Sequence, residues 1–225
     1  MYWSDILYVL TLILFVISMI ISLSVRIRFK KFSKMQNVYR LTGAEAASRI
    51  LQANGIFDVS IVPVAGTLTD NYDPRNKVLH LSDEVGGKAS VAAVAVAAHE
   101  CGHAIQDAVS YPLLGIRKSL VPICNVGSIG SYIAVILGFL FSSTGLITVG
   151  AILFSGIVAF HFVTLPVEVN ASRRALAEVE RLGLLSEEEL RGGRKVLTAA
   201  GMTYFMSLVT SLVQFLRLLS LARRK

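Results

Sequence analysis

Charge is scarce in this chain. Only 16% of its 225 residues are charged while 54% are apolar, a balance that excludes an ordinary soluble domain and points to a bilayer. Cysteine is scarcer still. Cys101 and Cys124 alone cannot supply the disulfide framework of a small secreted scaffold, and they suit a reducing cytosolic face. The net charge of +7 comes without any repeat of basic and aromatic residues, so no nucleic acid partner is expected; basic residues gathered at a membrane surface favour anionic lipid instead.

Some stretches lack charge altogether. Ile6 to Val25 is uncharged and about the length that crosses a hydrocarbon core, and it lacks the basic leader and small-residue cleavage site of a secretory signal. A retained anchor is expected. Arg26, Arg28, Lys30, Lys31 and Lys34 follow it, against Asp5 and the terminal amine before it, which puts the amino terminus outside and residue 26 onward in the cytoplasm. Leu120 to Pro166 has His161 as its only potentially charged member. Two spans with a turn at Phe141-Ser142-Ser143-Thr144-Gly145 fit that length, and Arg117, Lys118, Arg173 and Arg174 put both ends on the basic side. Val196 to Leu221 is apolar with a polar stripe at Thr203, Ser207, Ser211, Gln214 and Arg217, as suits either a fourth span or a helix lying in the interface. Basic residues flank both ends (Arg191, Arg194, Lys195; Arg223, Arg224, Lys225), so charge does not choose.

Histidine is rare, four in all, yet two of them fall in His99-Glu100-Cys101-Gly102-His103, inside the small-residue run Val91 to Gln106. On a helix these two stand one turn apart on one face, where both imidazoles can reach one Zn²⁺ with Glu100 beside them as a proton carrier. Neutral imidazoles leave a metal cationic enough to acidify water, and the carboxylate then takes the proton and returns it to a leaving amine. The competing reading is a core helix whose histidines bond to neighbours, but two histidines and a carboxylate are costly to bury without a cation. Cys101 points away from the histidine face and is left out.

Between the apolar stretches, Thr42 and Glu45 form a capping box for a helix that stops near Gly55. Val59 to Val64 and Lys77 to Ser82 read as strands, with Asn71 to Asn76 as a turn-rich connection. Val78-Leu79-His80-Leu81 is the expected edge strand against which an extended peptide would lie. The fold class is therefore a mainly α membrane protein with three or four transmembrane helices and a small α+β zincin-like cytoplasmic unit carrying HExxH. Its expected divisions are the anchor and basic flank at 1–35, the zincin-like unit at 36–119 and the hairpin at 120–166. A third-ligand helix with a capped helix at 167–195 and a hydrophobic helix at 196–225 complete them.

A catalytic zinc usually has three protein ligands and an open position. Val109 stands where the long metzincin motif needs histidine, which excludes that class. Asp107 is carried away along a straight helix. Downstream, Pro166 is placed to start a helix with Glu168 in its first turn, as third ligand or as a carboxylate answering the helix dipole. Glu178, Glu180 and Glu187 to Glu189 look like solvated faces, with Ser186 and Glu189 as a second capping box.

The stretches SVAAVAVAAHECGHAIQ, LPVEVNASRRA and LLSEEELRGGRKVLTAA resemble the bacterial membrane-embedded neutral zinc metallopeptidases of the YugP type, over nearly the whole chain. The resemblance implies Zn²⁺ held by His99, His103 and Glu168, with Glu100 as the catalytic residue. Glu168-x-x-Ala171-Ser172 is more distantly similar to the Glu-x-x-Ala-Asp segment of the HtpX and CAAX-processing membrane peptidases, with Ser172 where those have Asp. The implied function is a gluzincin-type endopeptidase of the bacterial cytoplasmic (inner) membrane, multi-pass, with its site facing the cytoplasm and a peptide or membrane protein as substrate. His80, Tyr72, Arg173 and Tyr204 are the candidate oxyanion donors. Two alternatives stand beside it. One is a site-2-type intramembrane protease, which Ser90 to Tyr111 is long enough to admit but whose Leu-Asp-Gly ligand element is missing. The other is a non-catalytic metal-binding scaffold.

Overall fold

A computed structural model of the chain describes residues 3–223; Met1 with its terminal amine and the basic pair Arg224 and Lys225 lie outside the described residues. In order the elements are α1 (Trp3–Ser33), α2 (Gly43–Ala53), β1 (Ser60–Val64), β2 (Asn71–Asp73), β3 (Val78–Ser82), α3 (Asp83–Gly86), α4 (Val91–Ala108), α5 (Pro112–Leu140), α6 (Thr144–Arg181) and α7 (Glu187–Ala222). The protein is mainly helical with one small sheet. It divides into two compact units: Met1–Ile21, Pro112–Pro166 and Thr203–Lys225 form the first, Ser22–Tyr111 and Val167–Met202 the second.

Among the described residues α1, α5, α6 and α7 are each long and apolar enough to cross a membrane. That adds the last helix to the expected anchor and hairpin, because α7 begins at Glu187 and runs without a break into the apolar stretch. In the first unit, α5 buries Gly127, Ser131, Ala134 and Gly138, three or four residues apart and so on one face. Ser131 Oγ donates to Gly150 O of α6 at 2.8 Å, and a Cβ on Gly150 would lie 2.5 Å from Val135 Cγ2. Small residues let these backbones approach, as helix pairs in lipid require. The connection falls within the expected turn, where Ser142 takes φ +50 and Ser143 N donates to Gly138 O at 2.8 Å.

Pro166 departs from expectation. It sits inside α6, which runs unbroken to Arg181, so Glu168 is not in a first turn and a helix-dipole role for it falls with the missing terminus. One lost donor does not end a helix whose neighbouring turns are packed, and Thr164, Val167 and Ala171 are all buried.

The second unit is built around α4. Glu45 N donates to Thr42 Oγ1 and Thr42 N to Glu45 Oε2, so the α2 capping box is formed, and Gly55 takes φ +68 beyond the helix end. The sheet order is β1-β3-β2, with β1 parallel and β2 antiparallel to β3. This corrects the edge assignment: Val78 to Leu81 lie in the central strand, and β2 is an edge. β2 comes from the stretch read as turn, since only Asn71 to Asp73 pair before Asp73 Oδ1 and Oδ2 accept from Arg75 N and Asn76 Nδ2 to close the turn. Leu79, Leu81, Ile50, Val85, Val91 and Val94 belong to one core with the alanines of α2 and α4. The second capping box also forms, with Ser186 N on Glu189 Oε2 at 2.8 Å.

Candidate metal centre

The serine before α4 starts the helix: Ser90 Oγ accepts from Ala93 N, satisfying one of the otherwise unpaired donors of the first turn. From there Ala92, Ala93, Ala95, Ala97 and Ala98 are all buried, so neighbouring elements come close to the helix. His99 and His103 follow on one face, their ring centroids 4.8 Å apart and their planes at 84°. Cys101 Sγ lies against Ala47 O of α2, away from that face, and burial pushes its thiol pKa up.

Glu168 comes to the histidines from α6. Its Oε2 is 3.3 Å from His99 Nε2 and 3.5 Å from His103 Nε2, and one ligand atom from each of the three residues lies within 4.8 Å of the others. Donor atoms bound tetrahedrally to zinc at about 2.0–2.2 Å stand about 3.3–3.6 Å from one another. The carboxylate oxygen therefore stands from each of the two nitrogens at the separation that ligands of a small cation have. Asp107 is not among them: its Oδ2 accepts from Lys77 Nζ at 2.6 Å and from Tyr72 OH at 3.0 Å.

The outer ring nitrogens decide which way the imidazoles present their lone pairs. Gln106, fully buried, uses its Nε2 on Val167 O at 2.9 Å and Asn170 Oδ1 at 3.0 Å. Its Oε1 is left facing His103 Nδ1 at 3.1 Å. An amide oxygen only accepts, so Nδ1 carries the proton and the Nε2 of the neutral ring keeps its lone pair for a cation held beside Glu168. Ser172 Oγ is 3.1 Å from His99 Nδ1, where its hydroxyl can accept the proton of that ring nitrogen. Such outer partners fix ring orientation in metal sites. The sequence signal for Gln106 was its place one turn past His103, a polar residue inside an apolar helix.

Gly102 makes the meeting of the two helices feasible. A Cβ there would lie 2.5 Å from Ala171 O, so α6 could not come as near with any other residue. The glycine inside the motif is a requirement of packing.

Glu100 is buried and adjoins β2. Burial pushes its pKa up to about 7, against the lowering pull of His99 and of a hydrogen bond from the Tyr72 backbone N–H. Asp70, just before β2, accepts from Ser82 N and Oγ, and burial raises its pKa. Of the candidate oxyanion donors, Tyr72 has its hydroxyl committed to Asp107, and burial with that contact holds the phenol protonated. His80 sits in β3 paired with Val62 and Asn71, and Arg173 is exposed on α6.

Residues 7–223 match the family described as "Putative neutral zinc metallopeptidase". The chain belongs to this family. It is also 44% identical over 193 residues to the "Putative membrane protease YugP" of Bacillus subtilis (strain 168), covering 86% of each chain. No solved structure matches it. The donor set drawn from α4 and α6 fits the zinc that this metallopeptidase family's description names, in ligand type and in spacing.

Proposed function

We propose that this metallopeptidase-family chain is a membrane-embedded, zinc-dependent endopeptidase of the gluzincin type, with His99, His103 and Glu168 as metal ligands and Glu100 as general base and acid. The observation that carries the reading is the convergence of two imidazole Nε2 atoms and one buried carboxylate oxygen at 3.3 and 3.5 Å, with both Nδ1 atoms engaged elsewhere. Three protein ligands leave a fourth position open, which a purely structural zinc site does not.

His99, His103 and Glu168 would hold zinc, which would supply the Lewis acidity that lowers a water's pKa and polarises the scissile carbonyl. Glu100 takes the proton from the attacking water and delivers it to the leaving amine, from a position beside His99 and under the Tyr72 N–H. Ser172 and Gln106 keep the two rings turned so that both Nε2 lone pairs stay available. The substrate peptide lies in extended form along the free side of β2, the edge strand adjoining Glu100, rather than along β3. Tyr72 gives that strand its rigidity through Asp107, which leaves Arg173 and His80 of the same unit as donors toward the oxyanion.

In this reading 36–119 keeps its place as the zincin-like unit between the anchor at 1–35 and the hairpin at 120–166. The segments 167–195 and 196–225 supply the third ligand and the last apolar helix. The basic run from Arg26 to Lys34 puts the centre on the cytoplasmic face of a bacterial inner membrane, where peptides or membrane proteins are the substrates. Purified protein is expected to carry about one zinc per chain. Glu100→Gln is expected to lower peptide cleavage at least about 10²–10⁴-fold while metal content, read by atomic absorption, stays unchanged. Cleavage at the wild-type rate in that variant would remove Glu100 from the mechanism.

A further inference from the structure

The end of α1 holds a feature that hydrolysis does not use. A cavity of about 670 Å³ lies between this end and the loop joining β1 to β2, with Arg26, Lys30, Ser33, Thr67 and Glu84 as its polar lining and Phe29 and Leu68 as its apolar wall. The four α1 residues share one helix face by their spacing. Arg26 and Lys30 are exposed, and among the described residues neither has an ion-pair or hydrogen-bond partner. Ser33 Oγ is buried and likewise lacks a hydrogen-bond partner, a cost that a bound acceptor would relieve.

The loop side is unusual too. Leu68 takes φ +58 with 40% of its surface exposed, a conformation that side chains with a Cβ rarely adopt. The depth of the cavity identifies its surroundings. Arg26 is the first charge after the uncharged run from Ile6 to Val25, and Lys30 stands about 6 Å further along the helix axis. That interval is where lipid headgroups lie when the run spans the hydrocarbon core.

We infer that this cavity holds the headgroup of an anionic phospholipid. The phosphate rests on Arg26 and Lys30, with the Ser33 and Thr67 hydroxyls donating to its oxygens. Two cations and one carboxylate leave a single net positive charge, matching one phosphodiester. Glu84 then accepts from hydroxyls further out on the headgroup, as a glycerol headgroup provides, whereas choline has no donor to offer it. Phe29 and Leu68 form the apolar wall against which the headgroup rests. A lipid so placed ties α1 to the loop that leads into β2. The inference rests on α1 crossing a membrane and is independent of peptide hydrolysis.

The test is native mass spectrometry of the full-length protein in non-ionic detergent, titrated with phosphatidylglycerol or phosphatidylcholine. It is run in roughly 0.5 M ammonium acetate, so that exposed surface charges are screened. Wild-type protein and the variant Lys31→Gln/Lys34→Gln, which loses two charges outside the cavity, should each retain one phosphatidylglycerol. Arg26→Gln/Lys30→Gln should bind it about tenfold or more weakly, Ser33→Val should weaken it by less, and phosphatidylcholine should bind wild-type protein about tenfold more weakly than phosphatidylglycerol. Equal weakening in the two double variants would mean surface charge only and would overturn the site, as would equal retention of the two lipids. Zinc content read in the same spectra separates loss of the lipid site from loss of the metal centre.

Discussion

Helices α4 and α5 are both apolar, yet they turn opposite properties toward their surroundings. α5 exposes Val126 at 75%, Tyr132 at 69%, Ile129 at 64% and Ile136 at 62%, keeping Gly127, Gly138 and Ser131 for α6. α4 buries nearly every apolar residue it has and is not among the helices long and apolar enough to span. Alanine is its commonest residue, with glycine at the closest crossing. The difference teaches what each apolar surface is for. On α5 the large residues face outward, as lipid permits, and small ones bring one partner close. On α4 small residues all round admit close neighbours, and that enclosure leaves the His99 and His103 side chains only 14% and 12% exposed, so that their contacts with Glu168 are weakly screened.

Substituting the packing glycines puts this contrast under test. Gly102→Val should have the largest effect: with Ala171 O where the new Cβ would go, α6 is forced away, Glu168 leaves the histidines, and zinc content falls well below one per chain together with activity. If zinc is retained, the close helix crossing is not what assembles the centre. Gln106→Leu should come next, weakening zinc by about 10–100-fold in competition with a chelator while thermal unfolding shifts less, because ring orientation is lost before the core is. Gly150→Ala, in the other unit, should cost about 1–3 kcal/mol of stability through overpacking against Val135 with zinc content unchanged in the folded fraction. Smallest of all, Val126→Leu on the outward face of α5 should move stability by no more than about 0.5 kcal/mol. A large loss there would mean that a protein partner, not lipid, covers that face.

Much of this was legible in the chain, and the reasons differ by element. The capping boxes at Thr42 and Glu45 and at Ser186 and Glu189 were readable because each is a local exchange of two hydrogen bonds. The strands at β1 and β3 announced themselves by β-branched and apolar runs. β2 did not, since three residues with one aromatic and two turn formers carry no period, and without it the central strand looked like an edge. Pro166 misled in the same way: a proline's preference for a first turn is a local tendency, and the packing of Val167 and Ala171 overrode it. Ser172 had no local signature beside His99, and the place of Gln106 one turn past His103 marked only a polar residue in an apolar helix, because the use of each depends on where α6 lies.

By itself the sequence determined the apolar helices, the caps and the pairing of His99 with His103, since each depends on residues within a few positions of one another and on properties that composition and spacing carry. The tertiary structure alone decided that β2 is the strand beside Glu100 and that Gly102 sets the distance to α6. It alone also put Ser172 behind the His99 ring and fixed the turn of the Gln106 amide through Val167 and Asn170. These are contacts between residues tens of positions apart, and no local preference fixes where two such pieces of backbone meet.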